Sequence, residues 1–152
     1  MEFVDETVIE PFSWWLVAGY AYSLVIGHLC VSRFVHASHL SSGTQLEPGQ
    51  PKIAAMVGHL ERALYTSLWL MGSSELILGW LALKAAGVLR QTTKDQVVYN
   101  TFLVGTGLSL VFGVAGGMLV QLADSGETAR ALVIAAGPVA LSLGLIAGIR
   151  RP

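Results

Sequence analysis

The run QVVYNTFLVGTGLSLVFGVAGGMLVQLA at residues 96–123 holds no Lys, Arg, Asp or Glu. About 20 apolar residues cross the ~30 Å hydrocarbon core of a bilayer as an α-helix, and this stretch exceeds that length with room for tilt. It is apolar all round. The outer-membrane barrel alternative requires ~10-residue segments that alternate apolar and polar, which this run does not do. A helix also satisfies its own backbone polar groups in lipid.

Three further runs, 11–32, 63–83 and 131–149, are equally free of charge except for Glu75. Extended to the nearest polar boundaries, the four runs predict an all-α membrane protein in which four transmembrane helices form a compact bundle. The expected spans are about 11–36, 54–89, 96–123 and 129–149, in a single polytopic domain over 1–152. A polar linker at about 37–52, with Ser38, Ser41, Ser42, Gly43, Pro48, Gly49 and Pro51, joins the first two. The second helix is expected to begin before the hydrocarbon and to protrude from it.

Composition agrees. Hydrophobic residues make up 53% of the 152, charged residues only 12%, and the mean hydropathy is +0.62. Soluble domains carry roughly twice that share of charge, so a soluble enzyme is excluded as a reading and the lipid bilayer becomes the first partner. With nine Lys and Arg against ten Asp and Glu, no basic surface exists for nucleic acid. The single cysteine, Cys30, rules out an intrachain disulfide.

Glu2, Asp5, Glu6 and Glu10 precede the first helix without a basic residue, unlike a signal peptide, so that helix is expected to stay. Trp14 and Trp15 suit the headgroup level at its entry. Four spans put both termini on one face. That face would carry Lys84, Arg90, Lys94, Arg150 and Arg151 against Arg33, Lys52, Arg62 and Arg130 on the other, and this small excess puts both termini in the cytoplasm.

Helices in lipid associate through small residues and hydrogen bonds rather than hydrophobic burial. Small residues recur every fourth position at Gly19, Ser23 and Gly27, at Gly105, Ser109, Gly113 and Gly117, and at Ala136, Ala140, Gly144 and Gly148. These are read as packing seams. Their number also predicts a homo-oligomer and leaves room for contact with other membrane proteins.

Glu75 is the candidate polar site, placed near the middle of its expected span with Ser74 beside it and Ser109 at similar depth on the next helix. A carboxylate in hydrocarbon costs at least ~2.5 kcal/mol, so it must be neutral, partnered or wetted. Two readings follow: an inter-helix hydrogen bond, or a proton or cation relay. His28, His36, His39 and His59 suggest metal or haem chemistry, but a buried bis-histidine haem is disfavoured because, besides His28, no histidine lies inside any of the four charge-free runs. A zinc site at His36, His39, His59 and Glu61 depends on the linker's path. Glu61 and Arg62 read as a solvated helix end, with Glu61 on the same helical face as Glu75. No phosphate loop, Ser-His-Asp set or HExxH occurs, so no catalytic residue and no cofactor is expected. The functional expectation is a non-enzymatic structural or assembly component, with a channel or transporter using Glu75 as the alternative.

From Gly58 to about Met118 the chain resembles the membrane-spanning C-terminal region of the DUF3307 family, bacterial proteins of unknown function. The stretches are GHLERAL at 58–64, LGWLALKAAGVLR at 78–90 and YNTFLVGTGLSL at 99–110. The resemblance implies a bacterial cytoplasmic membrane and makes Glu61, Arg62, Lys84 and Arg90 patterned positions. The first helix and the linker do not share it, and the family supplies no activity.

Overall fold

A computed structural model describes residues 13–42, 50–91 and 96–149; the side chains at 42, 50–51 and 88–98 lie outside the description. The elements among the described residues are all helical. Helix α1 (Trp14–Ala21) passes through a π-helical stretch at Tyr22–Ile26 into α2 (Gly27–Ser42), making one rod. Four rods follow: α3 (Gln50–Leu70), α4 (Ser74–Gln91), α5 (Gln96–Asp124) and α6 (Thr128–Ile149). Three of the five rods, over Trp14–Ser41, Tyr99–Asp124 and Thr128–Ile149, are long and apolar enough to cross a membrane. This build is consistent with a membrane protein.

The count of four helices is corrected at one place. The expected continuous helix over 54–89 is two helices, because the chain turns back at Met71–Ser73. Gly72 adopts φ +69°, a left-handed conformation that glycine enters without a Cβ penalty. The Ser73 amide donates to the Leu68 carbonyl at 2.9 Å and the Gly72 amide to that of Trp69 at 3.0 Å, which closes a Schellman cap on α3. Helix α4 then runs antiparallel along α3. Ile77 packs with Leu68 and Tyr65, Leu81 joins the same cluster with Leu64, and Lys84 reaches Glu61. The same device joins α5 to α6: Gly126 has φ +83°, and the Glu127 amide donates to the Leu122 carbonyl at 2.8 Å.

An odd number of rods separates the two ends of the described chain. Ser13 donates to Asp124 at 2.7 Å and Trp69 to Gln121 at 3.1 Å, so these residues share one end. At the other, Ile149 packs on the cluster of Phe34, Ala37, Leu108 and Ile146. The first and last described residues, Ser13 and Ile149, therefore lie at opposite ends of the bundle. The polar linker is also shorter than expected: α2 continues to Ser42, with Ala37 and Ser38 buried, and α3 starts at Gln50. The part of it at 43–49 lies outside the described residues.

Helix α5 is the axis of the bundle and packs on α1, α2, α3 and α6. Its glycines admit the neighbouring backbones. A Cβ on Gly116 would sit 2.7 Å from the Gly19 carbonyl oxygen, one on Gly113 2.6 Å from Tyr65 Cβ, and one on Gly117 2.6 Å from Trp69 Cδ1. Gly19 meets the Gly116 backbone from the other side, and Gly27 abuts Arg62 and Phe112. The π-helical turn keeps the every-fourth series Gly19, Ser23, Gly27 on one inward line, all three buried. Gly105 makes only ordinary contact, with Val35 at 3.8 Å. The expected seam at Gly144 and Gly148 is not inside the bundle. Nothing approaches either within 4 Å, and Ala136 and Ala140 are likewise exposed, because Ala131, Pro138, Ser142 and Ile146 form the buried face of α6.

Candidate functional site: a charge cluster inside the bundle

Because α3 spans Gln50–Leu70, Glu61 and Arg62 fall at its middle, not at a solvated end. Glu61 is 4% exposed and Arg62 1%. This corrects the helix-end reading, and the reason is the turn at Gly72. Once α3 ends there, its centre moves toward Glu61.

Lys84, in the second half of α4, forms an ion pair with Glu61. Its ammonium also donates to Thr106 Oγ1 at 2.9 Å and lies 4.7 Å from the centre of the Phe102 ring. Lys84 is thus saturated by partners from α3 and α5. Arg62 is not. Its stem runs between Gly27 of α2 and Phe112 of α5, and its head folds back over Gly58, where a Cβ would stand 3.2 Å from Nη1. Nη1 donates to Ser109 Oγ at 3.3 Å, whereas Nε and Nη2 find no acceptor among the described residues.

A hydroxyl layer lies under the cluster. Thr66 Oγ1 is 2.9 Å from the carbonyls of Arg62 and of Gly113, and 3.0 Å from Ser23 Oγ. A hydroxyl has one proton, so Thr66 donates to one of these carbonyls and Ser23 can supply a proton to its oxygen. Tyr65 is fully buried beside Trp80 with its hydroxyl lacking a well-formed hydrogen bond. On the flank, the rings of His28 and His59 touch with centroids 4.4 Å apart. His59 Nδ1 lies 2.7 Å from the Ala55 carbonyl and so carries a proton, leaving Nε2 free to accept when the ring is neutral.

Among the sequence candidates, Glu61, Arg62, Lys84 and Ser109 come together. Glu75 and Ser74 do not. Both are exposed in the first turn of α4 at the end of the bundle, where Glu75 complements the helix dipole. Arg90 lies on α4 with its side chain outside the description. The zinc set does not assemble: His59 faces His28, Glu61 faces Lys84, His36 is exposed, and no group of three or more metal-ligating side chains occurs among the described residues. Sequence reasoning missed the His28–His59 contact, because His59 falls outside the charge-free run at 63–83, and it missed Gly116 and Thr66, which no spacing rule singled out. The chain matches no family model, no curated protein and no solved structure.

Proposed function

We propose that this chain is an integral membrane protein whose five rods all cross the bilayer, and that the buried trio Glu61, Arg62 and Lys84 handles an ion or proton within it. The supporting observation is the burial of Glu61 and Arg62 at the middle of α3, with the half-buried Lys84 of α4 closing on Glu61. A buried ion pair rarely stabilises a protein relative to apolar residues of the same size, and two guanidinium nitrogens without acceptors add a further cost. Charged groups held at such depth characteristically mark ion and proton paths. The role expected of Glu75 passes to Glu61.

The five-rod arrangement also supports an orientation. Among the described residues only Arg130 accompanies Glu75, Asp124 and Glu127 at the end holding Ser13, whereas Arg33, Lys52 and Arg90 belong to the opposite half. The positive-inside rule puts that second half toward the cytoplasm and the Ser13 end outside. By the resemblance given above, the membrane is a bacterial cytoplasmic one.

A second reading, a structural component that self-associates, draws on the exposed small-residue line Ala136, Ala140, Gly144 and Gly148 of α6. The two readings part on flux. Purified protein in liposomes, with an imposed proton or ion gradient, is expected to pass charge. Glu61→Gln, which keeps a hydrogen-bonding side chain without its charge, is expected to stop it while size-exclusion behaviour stays unchanged. No flux in the wild-type protein across pH and common ions leaves the self-associating reading.

A further inference from the structure

We infer that the Nε/Nη2 edge of Arg62 is an intramembrane binding site for an oxyanion, a carboxylate or phosphate group that the described residues do not provide. The inference rests on the reading of the trio as a working site and names the ligand chemistry it takes. A guanidinium presents its donors in a planar fork, and the Nε–H and the outer N–H of Nη2 point the same way along one edge, spaced to grip the two oxygens of a carboxylate or phosphate. In this protein that edge is the unused one, since Nη1 alone is engaged, by Ser109.

Among the described residues the carboxylates are committed or distant, and no acceptor, the open His59 Nε2 included, bonds to this edge. The Glu61 carboxylate is held by Lys84 from α4. The carbonyl of Arg62 and that of Gly113 face Thr66. Asp124 is bonded to Ser13 at the far end of α5, Glu127 to Arg130, and Glu75 opens α4 at that same end. Burial of Arg62 to 1% exposure makes its empty edge costly, and a ligand that fills it recovers that cost. Glycines occupy two positions beside the side chain: a Cβ at Gly27 would lie 2.8 Å from Cδ, and one at Gly58 3.2 Å from Nη1. Charge points the same way, for one negative and two positive side chains leave the trio at a net of plus one, which a monoanion cancels. In a low-dielectric interior that cancellation is worth far more than in water.

The test uses the full chain, delipidated in maltoside micelles, which carry no phosphate or carboxylate. Sodium acetate and inorganic phosphate are titrated against chloride at constant ionic strength, and phosphatidic acid is added in a separate arm, with the melting temperature as readout. A saturable rise with acetate or phosphate identifies a soluble oxyanion; a rise with phosphatidic acid alone identifies a lipid headgroup. Either is expected to be weakened at least about tenfold in Arg62→Lys, which keeps the charge and loses the fork. Should that variant fail to fold, Ser109→Ala, which removes the anchor of Nη1, is expected to weaken binding severalfold. No rise with any of the three ligands, or equal affinity in the variants that fold, overturns the proposal and leaves the edge to water. Saturable binding without flux retains this site and refutes ion transport, whereas flux that Glu61→Gln stops without any oxyanion response does the reverse.

Discussion

Glu61 and Glu75 are two acids on adjoining helices, and they have opposite fates. Glu61 is buried at the centre of α3 against Lys84, while Glu75 is exposed in the first turn of α4. In the sequence the ranking is reversed, since Glu75 sits inside an apolar run and Glu61 beside an arginine just before it. Depth in a helical bundle is set by where the helices turn. One glycine in a left-handed conformation, Gly72, moves the middle of the rod by more than two helical turns, from Glu75 toward Glu61.

The largest expected effect breaks the buried side of this pair. Glu61→Leu leaves the Lys84 ammonium with Thr106 and the Phe102 ring but no counter-charge, and a buried pair stripped of one member typically loses about 3–5 kcal/mol. Adding Lys84→Met removes the orphaned charge, so the double variant is expected to regain most of that loss. The measurement is unfolding of the three variants in mixed micelles as a double-mutant cycle. Additive losses would mean that Glu61 and Lys84 do not depend on one another.

An intermediate effect is expected at the turn that separates the acids. Gly72→Ala forces a Cβ into a left-handed backbone at about 1–2 kcal/mol, although open space surrounds the position and no clash contributes. Gly79→Ala is the matched control, for Gly79 is equally uncrowded but helical, where alanine is the better residue by up to ~1 kcal/mol. Thermal melts of the two should shift in opposite directions. A common direction would remove the conformational account of the turn.

That turn was legible and was outweighed. Gly72-Ser73-Ser74-Glu75 reads as a helix stop followed by a helix start, glycine past the last turn and then serine and an acid at the next beginning. Average apolarity over 63–83 hid it, because a hairpin and a continuous span share that average. The outer limits of α5 and α6 were legible to within a residue or so, since charge bounds them on both sides. Seams were half legible. Glycines at 113 and 117 do meet Tyr65 and Trp69, yet those at 144 and 148 look outward with the same spacing. Helix α6 is at least as apolar as α5, but about a tenth of its spanning stretch is buried against half for α5. Lipid is as apolar as a protein core, so neither hydropathy nor small-residue spacing separates a face turned inward from one turned to lipid.

The smallest expected effect lies at the exposed acid. Glu75 has a free side chain's access to solvent or headgroups in the first turn of α4, where its contribution is an interaction with the helix dipole of at most about 1 kcal/mol, screened by salt. Glu75→Gln removes that charge and keeps the shape. The melting temperature is expected to fall slightly at low ionic strength and to coincide with wild type at high salt, and charge movement in liposomes is expected to persist. Glu61→Gln, made in parallel, is expected to stop the flux at either ionic strength, because a buried pair is not screened as an exposed one is. If Glu75→Gln instead abolished flux while Glu61→Gln preserved it, the working acid would lie at the end of the bundle, and the buried trio would be structural.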